Sequence, residues 1–471
     1  MSSHRVAVPV TRSMVRLAAD HLRAFGVGPG RRVALQVDAD AAGVAAMLGA
    51  SLTGAVISPL HPAWGREETT RVVERFRPHV LVARTDQDAP AGLGVEVRVV
   101  PLERVGKGPG HAPDDGGGSG LPNWVLWTSG TSGREPRGVL CSHRAFEESA
   151  HAVAQRLRLR PSDRWLCTLS PAHVGGLALI LRAVTLRSEL YAPGRFDAAR
   201  MSRALDEAGI THASLVPTQL RRLLDVRDRE PVPSALRCLL IGGAAAPPDL
   251  VEEALDRGYP LALTWGMTET ASQIATADPE LVRRKPGSVG SPLEGVELRV
   301  DPREGPVLGE GNPGGELLVR GPMLAEGVFQ GPDHEPAPLT DDEGWYRTGD
   351  LGRLDAEGDV SIEGRITDRI ISGGVNVSPA EVEAAIARHP AIREVAVLGL
   401  PDEEWGERVV AVAVLRPGAV EPTLQDLRRF VEVILAPPKR PREVRYLDRL
   451  PRNPNGKVDR AALRKQLLSG P

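Results

Sequence analysis

The hydrophobic pattern of this chain changes period again and again. Residues Thr11 to Phe25 set Met14, Val15, Leu17, Ala18 and Leu22 at helical spacing, with Gly26 as the stop. Residues 33–37 then read as a strand, 41–52 as a helix, 55–60 as a strand, 67–76 as a helix and 79–83 as a strand. Such alternation implies parallel strands joined by right-handed crossovers. Residues 105–122, with Gly116-Gly117-Gly118-Ser119-Gly120, predict a mobile connection ahead of the short apolar strand Trp124-Val125-Leu126-Trp127. The same alternation resumes with strands at 211–217, 235–242 and 261–264.

The texture changes near Arg365. Ser378-Pro379-Ala380-Glu381 has the spacing of a capping box with proline at the first helical position, which predicts a helix from there to about His389. Strands at 394–400 and 408–415, a helix at 424–435 and a strand at 443–447 complete a small α+β unit. A chain of 471 residues is too long for one core, and 41% hydrophobic content supports well-formed cores in two or more domains.

Charge and cysteine content narrow the function classes. A net charge of −3 gives no general attraction to nucleic acid or to an anionic membrane. Three cysteines, Cys141, Cys167 and Cys238, cannot build a disulfide framework, and no second ligand pair follows Cys141 and His143 at metal spacing. No signal pattern opens the chain and no apolar run is long enough for a bilayer, so the expected compartment is the cytoplasm.

The strand Trp124-Val125-Leu126-Trp127 empties into Thr128-Ser129-Gly130-Thr131-Ser132-Gly133, followed by Arg134-Glu135-Pro136-Arg137-Gly138-Val139. Glycines let a backbone approach a ligand closely and small hydroxyls add donors, which suits phosphate oxygens. Alone, such a run is most often an ordinary loop. Gly133 and Gly138 have the glycine spacing of a Walker loop, but Val139-Leu140 stand where Lys-Ser/Thr is required, which excludes that class.

This stretch resembles the phosphate loop of the adenylate-forming superfamily, which includes acyl- and aryl-CoA ligases, peptide-synthetase adenylation domains and firefly luciferase. Two departures stand out: Arg134 and Glu135 replace a single residue, and Arg137 replaces the family lysine. The resemblance covers nearly the whole chain. It implies an α/β protein with a large N-terminal domain of βα-built sheets (1–366) that binds ATP and acid, and a mobile C-terminal α+β lid (367–471). The hinge falls at Thr367, and the chain starts at the first helix, without the strand-and-turn segment usual upstream.

Activating a carboxylate with ATP needs no general base, because the acid is already ionised. The barrier is the approach of an anion to a polyanion, lowered by positioning and by cations at the α-phosphate. In Trp265-Gly266-Met267-Thr268-Glu269-Thr270, a glycine bend sets a hydroxyl and a carboxylate at a strand's carboxyl end, where open sheets bind ligands. By resemblance, Glu269 holds Mg²⁺ and Thr268 contacts phosphate. Trp265 stands where the family has tyrosine; an indole can stack on adenine but cannot repeat a phenol's hydrogen bond. Thr-Glu in isolation would be a capped helix start. In Gly344-Trp345-Tyr346-Arg347-Thr348-Gly349-Asp350, Asp350 resembles the aspartate that accepts both ribose hydroxyls; alone it would be a turn residue. Arg365 matches the arginine that contacts ribose and phosphate; alone it would be a solvated surface charge.

Lys457, in the turn Asn453-Pro454-Asn455-Gly456-Lys457, matches the lysine that bridges substrate carboxylate and α-phosphate, although the pattern by itself is a plain exposed turn. Gly373 and Gly374 resemble the loop lining the pantetheine tunnel, with a simple turn as the alternative. His173 matches a histidine at the edge of the acyl pocket, expected as an aromatic gate, although an isolated histidine there is more often structural. Gly242, Gly243, Ala244 and Met267 are expected to wall adenine and the acyl group.

Taken together, the resemblance implies an ATP-dependent acid ligase that forms an acyl adenylate and then an acyl-CoA. Its cofactors and co-substrates are ATP, Mg²⁺, coenzyme A and a small carboxylic acid. Two stretches, Ser214-Leu215-Val216-Pro217-Thr218-Gln219-Leu220 and Met267 to Gln273 leading to Lys285-Pro286-Gly287-Ser288-Val289-Gly290, resemble the o-succinylbenzoate–CoA ligases of menaquinone synthesis. Three alternatives stay open: a stand-alone adenylation enzyme that loads a carrier-protein thiol, another aryl-acid CoA ligase, and a non-catalytic nucleotide-binding homologue.

Overall fold

The structure, a computed structural model, describes residues 9–83, 98–102, 105, 123–128, 136–302, 314–453 and 457–468. Ser129, Gly130, Thr131, Ser132 and Gly133 of the expected phosphate loop lie outside these residues, as do the glycine-rich stretch 116–120 and Pro454 to Gly456.

Among the described residues, two sheets carry the larger part of the chain. The first has spatial order Gly327–Phe329, Arg137–Ser142, Asn123–Thr128, Val56–Leu60, Arg32–Gln36, Val80–Ala83 and Arg98–Pro101. It is parallel from Asn123–Thr128 to the far edge and antiparallel at the near edge. The second runs Ser272–Ala277, Leu261–Met267, Cys238–Ile241, His212–Leu215, Arg164–Leu166 and Glu189–Tyr191, with only its first pair antiparallel.

Helices His143–Leu157 and Val174–Thr185 share one core with side chains from both sheets, Trp124 and Leu126 on one side and Trp165 and Cys167 on the other. The opposite face of the second sheet is covered by Ala198–Glu207, Pro217–Arg227 and Pro248–Asp256. This is the double winding that the alternating pattern implies. The predicted strand at 261–264 is longer, continuing through Trp265 and Gly266 to Met267.

A third, antiparallel sheet escapes the sequence reading: Glu297–Asp301, Gly315–Arg320, Tyr346–Leu354 and Val360–Arg365. Leu317, Val319, Tyr346 and Val360 from it pack with Trp265 and Met267, so it rests on the strand that carries Glu269.

The fourth sheet begins at Ile370 and joins Val375–Val377, Ile370–Ser372, Gly406–Leu415, Ile392–Asp402 and Glu443–Tyr446. Helices Pro379–Ala387 and Leu424–Val431 cover one face and Arg460–Leu468 the other. Two sequence expectations are corrected here. The helix after Ser378 ends at Ala387 rather than near His389, and the next ends at Val431 rather than at 435. The capping box also does not form. The Ser378 hydroxyl donates to the Glu363 carbonyl at 2.6 Å, and Glu381 receives Lys439 Nζ on both oxygens at 2.7 Å, so a tie to the neighbouring sheet replaces the local cap.

Candidate active site

Parallel strands His212–Leu215, Cys238–Ile241 and Leu261–Met267 empty at one edge of the second sheet. Beyond Ile241 the chain turns at Gly242-Gly243-Ala244. Gly243 has φ +79°, which glycine adopts freely, and a side chain there would stand 3.4 Å from Val216 Cγ1. Gly243 and Ala244 are exposed and form a ledge.

The neighbouring strand is bent by a register shift between Trp265 and Gly266. Gly266 is obligatory, because a Cβ on it would sit 1.7 Å from the Ser272 carbonyl oxygen. Thr268–Thr270 form a single 3₁₀ turn rather than a helix start. Ala271 and Ser272 follow with φ +46° and +109°, conformations that cost non-glycine residues about 1–3 kcal/mol each. The Thr270 hydroxyl ties this turn together, 3.1 Å from Met267 O and 3.0 Å from Ser272 O.

The turn presents Glu269, which is 8% exposed. Its Oε1 lies 3.3 Å from Arg137 Nη1, on the first strand after the expected phosphate loop. Thr128, on the strand entering that loop, donates its hydroxyl to the Arg137 carbonyl at 3.2 Å. Cys141 is buried behind the turn with Sγ 3.5 Å from the Thr268 carbonyl, and burial holds its thiol protonated. Among the described residues no group of three or more His, Cys, Asp and Glu side chains is arranged to hold a metal ion by itself. A single buried carboxylate beside Arg137 suits Mg²⁺, which takes one or two protein carboxylates and the rest of its shell from phosphates and water.

A second carboxylate, Asp350, sits in Tyr346–Leu354 across from Trp265. The Trp265 indole donates Nε1–H to Asp350 Oδ2 at 2.7 Å, and Arg365 Nε lies 2.9 Å from Oδ1. The indole N–H is thus committed to Asp350, a tie within the protein that the sequence pattern alone does not disclose. Burial pushes the Asp350 carboxyl up, opposed by Arg365 and by the indole N–H. Trp265 itself is packed among Met267, Ile274, Leu317, Tyr346 and Val360.

Lys457 reaches this corner from the fourth sheet's side of the molecule. Its Cε stands 4.0 Å from where a Gly243 side chain would begin. The side chain keeps contact with solvent, yet protein crowds it enough that desolvation lowers its pKa, with Arg365 acting in the same direction and Asp350 against it. Thus one cleft gathers Gly243, Ala244, Trp265, Gly266, Met267, Thr268, Glu269, Arg137, Asp350, Arg365 and Lys457.

Of the remaining site residues, Gly242 adjoins Gly243 and Thr128 pairs with Arg137, while His173 and the turn of Gly373 and Gly374 make their described contacts with other groups. His173 caps helix Val174–Thr185 and faces the ring of His61 at 5.0 Å between centroids. Burial lowers the His61 pKa, which keeps that ring neutral. Gly242 has the Thr264 methyl group 2.7 Å from its missing Cβ. Gly373 and Gly374 form the turn between Ile370–Ser372 and Val375–Val377 with φ +57° and +77°, and Gly373 packs on the Trp405 ring. The sequence motifs assign no role to His61, which faces the His173 ring, or to Gln273.

A family description for AMP-binding enzymes matches residues 11–329, and one for the AMP-binding enzyme C-terminal domain matches 381–457. A 2-succinylbenzoate–CoA ligase of Bacillus cereus is 36% identical over 451 residues, 95% of this chain and 90% of that protein. The structure of o-succinylbenzoate CoA synthetase from Bacillus subtilis with the acyl-adenylate intermediate OSB-AMP superposes with a TM-score of 0.83 at 31% identity, covering 97% of this chain and 91% of that one. A double mutant of the same Bacillus subtilis protein, bound with the product analogue OSB-NCoA, gives a TM-score of 0.68 at 31% identity, covering 98% and 92%.

Proposed function

This chain belongs to the AMP-binding enzyme family, and on that footing we propose that it is an ATP-dependent o-succinylbenzoate–CoA ligase of menaquinone synthesis. The observation that carries the proposal is the meeting of Lys457 with the Asp350–Arg365 pair at the Gly243 ledge, since these three places lie far apart in the chain and serve one chemistry.

Asp350 takes the two ribose hydroxyls on its remaining lone pairs, with Arg365 and Trp265 fixing its orientation. Gly243 and Ala244 flank the adenine. Thr128, the loop that follows it, Arg137 and Thr268 hold phosphate oxygens, and Glu269 is the carboxylate for Mg²⁺. When bound with the triphosphate, Mg²⁺ spreads the charge that builds on the leaving pyrophosphate. Lys457 bridges the acid carboxylate and the α-phosphate, drawing two anions together without moving a proton. His173, Gly242 and Met267 border the acid.

Thioester formation needs a thiol where Lys457 stands, so the residues after 366 form a unit that turns about Thr367 and brings Gly373 and Gly374 to the cleft. The higher superposition on the adenylate-bound relative than on the product-analogue complex supports two orientations, with this one belonging to adenylation. ATP and CoA as co-substrates make the cytoplasm the working compartment, in keeping with no described helix being long and apolar enough to cross a membrane.

Acid-dependent ATP–pyrophosphate exchange across aryl and acyl acids, followed by CoA or a carrier protein as acceptor, tests the proposal. Exchange selective for o-succinylbenzoate with CoA as acceptor is expected. Exchange followed by transfer only to the carrier protein points to a stand-alone adenylation enzyme, and no exchange with any acid ends the catalytic reading.

A further inference from the structure

One buried amide beside the cleft is left half used. Gln273 is 2% exposed, and its Nε2 finds no hydrogen-bond partner among the described residues. Its Oε1 accepts from Thr276 Oγ1 at 2.6 Å, and Thr276 Oγ1 lies 3.0 Å from Thr264 Oγ1. The Thr264 methyl in turn fills the place of a Gly242 side chain, 2.7 Å from its missing Cβ. Side-chain contacts therefore link the amide oxygen, through Thr276 and Thr264, to the Gly242 wall assigned to the acid. An N–H₂ group buried without an acceptor destabilises the fold, and a water or a ligand can supply the missing acceptor.

The backbone ahead of Gln273 is built to hold it there. The left-handed pair Ala271 and Ser272 ends at this residue, and the register shift pairs Gln273 with Gly266. Only glycine at 266 admits the Ser272 carbonyl so close, and the Thr270 hydroxyl pins both sides of the turn. Strain of this kind survives where surrounding contacts over-determine it.

We propose that Gln273 determines acid specificity, its Nε2 donating to the carboxylate that is not adenylated. The assignment rests on the functional reading above, in which the acid carries two carboxylates. A carboxylate accepts an amide N–H strongly, and a site that loses such a donor leaves the substrate oxygen unpaired. Thr276 acts through Gln273 as a positioning residue.

The test compares o-succinylbenzoate with its analogues lacking one or the other carboxylate, in pyrophosphate exchange by wild type and Gln273→Leu. The variant is expected to raise KM for o-succinylbenzoate by about tenfold or more while leaving KM for ATP unchanged. Activity on the single-carboxylate analogue that wild type adenylates should hardly move. Gln273→Glu is nearly isosteric and sets an anion against the substrate, so it should lose more; it also serves if the leucine variant misfolds. Unchanged KM for o-succinylbenzoate, or equal loss on both acids, overturns the role of Gln273. A wild type that activates other acids and ignores o-succinylbenzoate overturns the functional reading and this ligand assignment together.

Discussion

The two carboxylates of the cleft are buried alike, Asp350 at 5% and Glu269 at 8% exposure, but their surroundings differ. Asp350 is held on one oxygen by Trp265 Nε1–H at 2.7 Å and on the other by Arg365 at 2.9 Å. Glu269 has Arg137 at 3.3 Å, and that side chain is itself 43% exposed. On the proposed function, the ribose corner is organised before the nucleotide arrives, whereas the phosphate corner is completed by the ligand and its cation. Preorganised groups avoid reorganisation during reaction, and binding energy should be concentrated where the protein has already ordered them.

Lys457 stands beside Gly243 and feels both Asp350 and Arg365, and its loss should have the largest effect. Lys457→Ala is expected to slow acid-dependent pyrophosphate exchange on the order of 10³-fold, the scale of a transition-state charge contact. Supplied acyl adenylate should still pass to CoA. Gly374→Trp should do the reverse, allowing adenylate and blocking transfer, and single-turnover rates of each half-reaction decide the matter. Equal loss of both halves in both variants would sink the two-orientation scheme. A pH profile adds a sign. Desolvation and Arg365 depress the Lys457 pKa, so the bridging cation is present at low pH and lost as pH rises through a value below that of an ordinary lysine. The alkaline limb of the exchange rate should therefore fall early and move upward in Lys457→Arg.

Glu269→Gln comes next. It keeps shape and removes the charge offered to Mg²⁺, so turnover should drop about 10²-fold at fixed Mg²⁺ and recover in part as Mg²⁺ is raised. Asp350→Asn should instead raise KM for ATP with no rescue by Mg²⁺. A matching Mg²⁺ response in both variants would erase the distinction between the two corners.

The same contrast explains what the sequence could disclose. The double-wound sheets were legible because helical and strand periods alternate cleanly from Thr11 to Ala83 and again around Leu261. The antiparallel sheet at 297–365 was not, since its strands owe their burial to Trp265 and Met267, a contact between distant segments that no local period encodes. Local chemistry also misled where a tertiary partner won: Ser378 has the spacing of a cap and spends its hydroxyl on Glu363 instead. Asp350, Arg365 and Lys457 could be proposed from motif resemblance, but their convergence needed coordinates. So did the indole N–H of Trp265, because a motif names residue types and not the direction a ring faces.

Trp265→Phe sharpens that last point with a smaller effect. Phenylalanine keeps an aromatic ring against the core and deletes the donor to Asp350. A hydrogen bond to a charged group contributes roughly 1.5–3 kcal/mol, so KM for ATP should rise by about one order of magnitude. Because the N–H helps keep the buried Asp350 ionised, its loss should also move the acid limb of the ATP KM profile upward in pH. An ATP KM within twofold of wild type across that range would show that Arg365 alone sets the carboxylate.

Arg137 should give the smallest change, and one with two opposite signs. Its pairing with Glu269 is long and partly solvated, and exposed ion pairs contribute at most about 1 kcal/mol. Arg137→Ala removes a phosphate-facing cation, so KM for ATP should rise a few-fold at saturating Mg²⁺. The same change frees Glu269 from a competing positive charge, so half-saturating Mg²⁺ should fall. Arg137→Lys keeps a cation without the planar fork and should lie between the two on both measures. Titrating ATP and Mg²⁺ independently in all three proteins separates the effects. If both constants move the same way, Arg137 acts on the nucleotide alone and its contact with Glu269 carries no functional weight.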